Sequence, residues 1–331
     1  MGAPPLIIAH RGASGRRPEH TASAYRLALA GGAGAVEPDI VVSRDGVLVV
    51  RHENELSGTT DVATRPGFAE RRTTRTVDGR TITGWFAEDL DWSELATLRA
   101  RERLPGLRPE NAALDGTEPV LRLRDLLELI DRESERLGAR PAVVIELKHA
   151  RFLRAQGHDL VALLERELSE CGWADRPERV IVESFELEPL ERLRDRGLPA
   201  RLVFLIDHDG APADAPGRGS AGAGSYAWYR SEAGLDALRD RVDGVSLAKQ
   251  DILADPATVA RAQARGLLAY TWTLRPENAF LDPAFRRGSD PAVWGNWRGE
   301  WSRILGSGVD GVFADHPELV VQLTSNALPA R

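Results

Sequence analysis

The chain is poor in cysteine, in lysine and in long apolar runs, and each shortage removes a class of protein. Cys171 is the only cysteine in 331 residues, so neither an internal disulfide nor a Cys-rich zinc site can form. No stretch approaches the roughly 20 apolar residues needed to cross a bilayer, which excludes a chain spanning the membrane by helices. A surplus of positive charge is also missing. Fifty acidic against 43 basic residues give a formal net charge of −7, which argues against a nucleic-acid binder held by bulk electrostatics. Among the basic residues only Lys148 and Lys249 are lysines. That bias singles out both, because lysine offers a compact point charge where arginine offers a planar fork. No targeting signal is legible: Met1-Gly2-Ala3-Pro4-Pro5 runs into only four apolar residues, Leu6–Ala9, with no basic segment ahead. As it stands the sequence reads as cytoplasmic, and removal of a leader would make it secreted or periplasmic.

What is present is an alternation. Short, β-branched, largely apolar runs predict strands at Leu6–Ala9, Ala35–Asp39, Ala142–Leu147, Val180–Glu183, Arg201–Ile206, Asp243–Leu247, Leu267–Trp272 and Val309–Phe313. Helical patterns lie between them at Thr21–Ala30, Leu123–Leu137, Leu160–Cys171, Pro189–Arg196, Leu235–Arg241, Pro256–Arg265, Trp301–Gly306 and Pro317–Leu323. Eight of each predict an α/β fold, a closed TIM (β/α)8 barrel, with an open doubly wound sheet as the competing architecture. After the second strand, Ile40–Ser43, the pair Asp45-Gly46 and Val47–Arg51 read as a β-hairpin that returns the chain to the same rim and delivers His52 there. Residues 53–120 are too long for an ordinary loop and read as a cap inserted into one domain spanning 1–331. Its Trp85, Phe86 and Trp92 either serve a large substrate or bury a small core of the cap's own. Asp207–Ser225 is irregular and Gly/Ala/Ser-rich toward its end, and Pro276–Glu300 is expected to fold over the rim.

The chemistry is concentrated at strand ends. Glu37 and Asp39 are spaced i, i+2, so both point to one side, and Glu146 and Lys148 repeat the spacing on the next strand. The C-terminal rim of a barrel is where such enzymes keep their reactive groups. Carboxylates converging there repel one another unless a divalent cation lies between them, and all-oxygen ligation favours Ca2+ or Mg2+. Glu183, also at a strand end, is either a further carboxylate of the site or structural. Of seven histidines, His10 ends the first strand beside Arg11, and His52 arrives from the hairpin. Two imidazoles flanking a metal site suit general acid–base catalysis, with Arg11 and Lys148 placed to clamp a phosphate. His158, His208 and His316 read as ordinary core or surface residues.

At these residues the sequence resembles the glycerophosphodiester phosphodiesterases, in particular their larger periplasmic or secreted branch. The matching motifs are His10-Arg11-Gly12, Pro18-Glu19-His20-Thr21, Glu37-Pro38-Asp39, Asp45-Gly46 leading to His52, Glu146-Leu147-Lys148, Ser184-Phe185, Trp272 and Asp310-Gly311-Val312-Phe313-Ala314-Asp315. The resemblance implies a metal-dependent TIM barrel that cleaves glycerophosphodiesters to sn-glycerol 3-phosphate and an alcohol. Carried over, Glu37, Asp39 and Glu146 match the ligands of one divalent cation, Ca2+ rather than Mg2+. His10 and His52 match the acid–base pair, and Arg11, Lys148, Glu19 and Trp272 the substrate and phosphate contacts. The sequence departs from that pattern at His20, where the family has Asn, at Glu53, where Asp follows the histidine, and at Glu183, where Gln often stands. The competing activities are a phospholipase D-like or glycerol-phosphate-polymer diesterase on the same barrel, and a phosphate-ester binding protein without catalysis.

Overall fold

Alternation with a period of two inside short buried strands sets the architecture, because it gives every strand one face for the barrel interior and one for the surrounding helices. The computed structural model describes residues 4–215 and 222–325. Its strands are β1 (Leu6–His10), β2 (Ala35–Glu37), β3 (Asp39–Val42), β4 (Leu48–Val50), β5 (Thr73–Val77), β6 (Arg80–Gly84), β7 (Ala142–Leu147), β8 (Val180–Ser184), β9 (Arg201–Ile206), β10 (Gly244–Ala248), β11 (Leu268–Leu274) and β12 (Gly311–Ala314). Parallel pairing runs β2-β1-β12-β11-β10-β9-β8-β7, and β7 pairs back onto β2. The sheet therefore closes on itself as an eight-stranded barrel, and the open-sheet alternative is set aside.

Ile8, Ala35, Ala142, Val144, Ile181, Val203, Tyr270 and Phe313 fill the interior. Ala9, Val36, Val143, Val182, Phe204, Val245 and Val312 face the helices. The helix Leu123–Leu137 shows how that outer layer is built. Its buried residues include Leu123, Leu126, Leu127 and Ile130, an i, i+3, i+4, i+7 stripe, and Gly138 ends it in the left-handed conformation at φ 62°. Phe204 is fully buried between Tyr226 and Tyr229, 6.3 and 5.0 Å away by ring centroids. Phe204→Ala is expected to cost about 3–5 kcal/mol. Chemical denaturation would show this as a lower midpoint at unchanged slope.

The predicted second strand is two strands. Pro38, which has no N–H to continue a ladder, separates β2 from β3, and β3 pairs antiparallel with β4 around Asp45-Gly46 as the hairpin predicted. The insertion contains its own hairpin, β5–β6, turning at Asp78-Gly79 with both residues at positive φ. It shares a compact core with the outer face of β3–β4: Val41, Val49, Leu56, Val62, Leu90, Leu95, Leu98 and Trp85, with Trp92 against it. Part of the irregular stretch Asp207–Ser225, residues 216–221, lies outside the described residues. Among the described residues no helix is long and apolar enough to cross a membrane.

Candidate active site

Extending the interior alternation by one step at the C-terminal rim writes the site. Ile8 is followed inward by His10, Ala35 by Glu37, Val144 by Glu146, Ile181 by Glu183, Tyr270 by Trp272 and Phe313 by Asp315. Register then brings neighbours together: His10 opposes Glu37, Asp39 opposes Glu146, and Glu146 opposes Glu183. These residues open into a pocket of about 450 Å3 lined by His10, Arg11, Glu37, His52, Glu146, Lys148, Glu183, Phe185, Lys249, Trp272, Arg275 and Phe280, among others. The chain leaves β1 through Arg11 and Gly12, both at positive φ. A Cβ on Gly12 would stand 2.8 Å from Ala24, so this turn needs glycine.

Three carboxylates meet at the base of the pocket. Donor oxygens of Glu37, Glu146 and Glu183 lie within 4.8 Å of one another, and all three side chains are buried. Glu37 Oε2 accepts the Arg11 N–H at 2.7 Å, and Glu146 Oε1 accepts from Lys148 Nζ at 2.7 Å. Burial and the neighbouring Asp39 and Glu183 push the Glu37 carboxyl well above its ordinary range. Burial pushes Glu146 up to about 8 against the pull of Lys148. Asp39 behaves in the opposite way. Burial alone would raise it, but His52, Lys148 and the bond from His20 hold it well below the usual carboxylate range. Its Oδ2 accepts from His20 Nε2 at 2.9 Å and lies 3.4 Å from Arg11 Nε, while Oδ1 is buried without a hydrogen-bond partner. Glu183 Oε2 is a second such orphan. Buried carboxylates with unpartnered oxygens are stable only when protonated or joined by a cation, so the donor set fits one hard divalent ion.

The two imidazoles stand on the flanks, each tied down by its Nδ1. His10 Nδ1 donates to Asp315 Oδ1 at 2.7 Å, and His52 Nδ1 to Glu53 Oε1 at 2.5 Å. A carboxylate accepts only, so in both neutral rings the proton is on Nδ1 and Nε2 keeps its lone pair. His52 Nε2 faces Lys148 Nζ at 3.3 Å. Burial, then Arg11, lowers His10 to about 4. Burial, Arg11 and Lys148 lower His52 to about 3. Both shifts disfavour the imidazolium in the cation-free site.

Each orienting carboxylate is held in turn by an arginine from the insertion. Arg103 bridges Glu53 and Glu19 with four contacts of 2.6–2.8 Å. Arg108 reaches Asp315 Oδ2 at 2.7 Å and Glu277 Oε1 at 2.8 Å, and Arg275 adds a bond to Asp315 at 2.8 Å.

Comparison with known proteins now has a site to refer to. Residues 10–319 match the glycerophosphoryl diester phosphodiesterase family. The chain belongs to that family. It is 31% identical over 333 residues to a glycerophosphodiester phosphodiesterase of Arabidopsis thaliana, covering 94% of this chain and 83% of the relative. A glycerophosphodiester phosphodiesterase from Haemophilus influenzae is 28% identical over 62% of this chain and 58% of its own length. In fold, the chain resembles an Oleispira antarctica phosphodiesterase solved with sn-glycerol-3-phosphate, at TM-score 0.63, 19% identity and 97% coverage of both chains.

For a chain of the glycerophosphoryl diester phosphodiesterase family, the predicted residues are distributed as follows. His10, Arg11, His52, Lys148, Glu37, Glu146 and Trp272 all line the pocket. Trp272 stands edge-on to Phe185 at 5.4 Å and forms the apolar wall with it. Asp39 and Glu19 are not among the lining residues: Asp39 adjoins the carboxylate cluster, opposite Glu146 and with Oδ1 3.6 Å from Lys148 Nζ. Glu19 is bound by Arg103 and by Arg11 Nη1 at 3.1 Å, so it acts on the pocket through those two arginines. Asp315 and Glu183 were within reach of the period-two rule. Arg103 and Arg108 were not, being two among dozens of arginines on a segment with no periodic pattern.

Proposed function

We propose that this chain hydrolyses glycerophosphodiesters to sn-glycerol 3-phosphate and an alcohol, with His10 and His52 as acid–base pair and a divalent cation held by Glu37, Asp39 and Glu146. The observation that carries this reading is the pair of Nδ1-anchored imidazoles on either side of a carboxylate cluster in one pocket. A bound cation would supply Lewis acidity to a phosphoryl oxygen and orient the substrate's glycerol hydroxyl. Arg11 and Lys148 line the same pocket and would neutralise the non-bridging oxygens. His10 Nε2 takes the proton of the glycerol 2-hydroxyl as its oxygen bonds to phosphorus. The bond to the alcohol breaks, and His52, which must enter this step as the imidazolium with Nε2 protonated, gives that proton to the departing oxygen. His52, beside Arg11 and Lys148, is the stronger acid of the two once protonated. Water then opens the cyclic glycerol phosphate with the histidines in exchanged roles, which restores both protonation states.

The polymer-diesterase reading drew on Trp85, Phe86 and Trp92 as substrate contacts. Trp85 and Trp92 pack in the cap's own core and Phe86 is fully buried, so they offer no open groove. A binding protein without catalysis has no use for two imidazoles with directed Nε2 lone pairs. The test is release of glycerol 3-phosphate from glycerophosphocholine, with and without chelator. Release that stops with chelator and returns with Ca2+ supports the reading, and release indifferent to chelator overturns the metal.

Proton linkage supplies a second check. A carboxyl raised from 4.5 to about 8, as at Glu146, favours the folded chain below its unfolded pKa, and that contribution is lost as pH rises through about 8. A cation on the cluster removes the repulsion and releases the protons. The rise in Tm on adding CaCl2 is therefore expected to be larger at pH 8 than at pH 6 by scanning calorimetry, and equal shifts would count against the cation.

A further inference from the structure

Glu183 has no role in the reaction as derived so far, yet it is a buried carboxyl of the pocket with no compensating partner among the described residues. It is 1% exposed. Among the described residues its carboxylate makes no hydrogen bond or ion pair, and Oε2 is a buried atom without a partner. It lies on β8 opposite Glu146 of β7, and it lines the pocket with Glu37 and Glu146. Every other carboxylate here has a partner: Glu37 the Arg11 N–H, Asp39 the His20 ring and Arg11, Glu146 the Lys148 ammonium. An isolated buried carboxylate costs several kcal/mol unless it is neutralised or coordinated. A glutamine would fill the same space without that cost.

We propose that Glu183 is a further ligand of the cation, completing a four-carboxylate set with Glu37, Asp39 and Glu146 that selects Ca2+ over Mg2+. The proposal rests on the cation site put forward above and deepens it. Four carboxylates against the nearby Arg11 and Lys148 leave two negative charges, which one divalent ion cancels. Selectivity follows from ligand count. Ca2+ takes six to eight oxygens in flexible geometry, whereas Mg2+ demands an octahedron and keeps several waters. Four protein carboxylates plus two substrate oxygens leave no room for those waters.

The test is calorimetric titration of the metal-free full chain with CaCl2 and with MgCl2, comparing wild type, Glu183→Gln, Glu37→Gln and Glu146→Gln. Glu183→Gln is expected to weaken Ca2+ binding about 10-fold or more while changing Mg2+ binding much less. Without cation, Glu183→Gln should melt at or above wild type because it removes an unpaired buried charge, and with saturating Ca2+ the order should reverse. A merely structural glutamate would show lower stability in both conditions and unchanged affinity. Wild-type Ca2+ affinity in Glu183→Gln, with Glu37→Gln weakened, overturns the proposal and leaves the underlying cation site standing. Unchanged affinity in all three variants overturns both. Tighter binding of Mg2+ than Ca2+ by wild type overturns the selectivity.

Discussion

Replacing either His10 or His52 by alanine is expected to lower kcat on glycerophosphocholine by about 10²–10⁴-fold while leaving cation affinity near wild type. Both halves follow from geometry. Each ring contributes only Nε2 to the pocket, because Nδ1 is engaged by Asp315 or Glu53. Neither ring is hydrogen-bonded to Glu37, Glu146 or Glu183, so truncation removes none of the cluster's own bonds. The two losses should not add. If one ring takes the proton that the other's half of the cycle returns, the double variant should be little worse than the poorer single one. A variant that lost only binding would raise KM and spare kcat. Steady-state kinetics paired with calorimetry separates these cases, and near wild-type kcat in both single variants would remove the histidines from the chemistry.

Much of this arrangement is legible in the sequence because barrel strands obey one rule. Interior residues recur every second position, and the rule continues past the apolar run into the first polar residues of the rim. It leads from Ile8 to His10, from Val144 to Glu146 and, one step further, to Lys148. The same rule reaches Asp315 from Phe313 and Glu183 from Ile181, where a sequence reading alone has no means to tell coordination from structure. The strand break at Pro38 was missed, although proline cannot extend a ladder. Read as one strand, Ala35–Asp39 still put Glu37 and Asp39 on the same side. The break lets β3 leave the barrel wall, pair with β4 and carry the chain to His52. The hairpin at Asp78-Gly79 carries the turn signal of Asp45-Gly46, but its flanking residues are Thr and Arg, largely exposed, so no apolar alternation marked it. Tertiary partners from the insertion were out of reach, because a guanidinium that meets a carboxylate 50 to 207 positions away along the chain leaves no local trace.

Those partners carry the last expectation. Arg103 joins Glu19 to Glu53, and Glu53 fixes the His52 ring. Arg103→Met leaves two carboxylates facing one another with no cation between them, so Glu53 should swing away from Nδ1 or bind a proton. Either outcome frees the ring to rotate and to change tautomer. A displacement on the order of 1 Å at a reacting group costs about 10²-fold, and that is the loss expected in kcat, with KM little changed. The pH profile distinguishes positioning from general destabilisation. The Glu53 carboxylate raises the His52 pKa, so once it swings away or binds a proton the imidazolium loses that support, and the limb of kcat/KM that reports His52 should move to lower pH. Loss of packing alone would lower Tm and leave the limb in place. Arg103→Lys should recover the charge and part of the shift, but little of the rate, since an ammonium cannot bridge two carboxylates through four bonds. Arg108→Met should act in the same way on His10 through Asp315, with a smaller loss, because Arg275 still holds that carboxylate from the other side. An Arg103 variant with full kcat and an unmoved His52 limb would make the insertion a cover over the barrel, with no part in aiming its histidines.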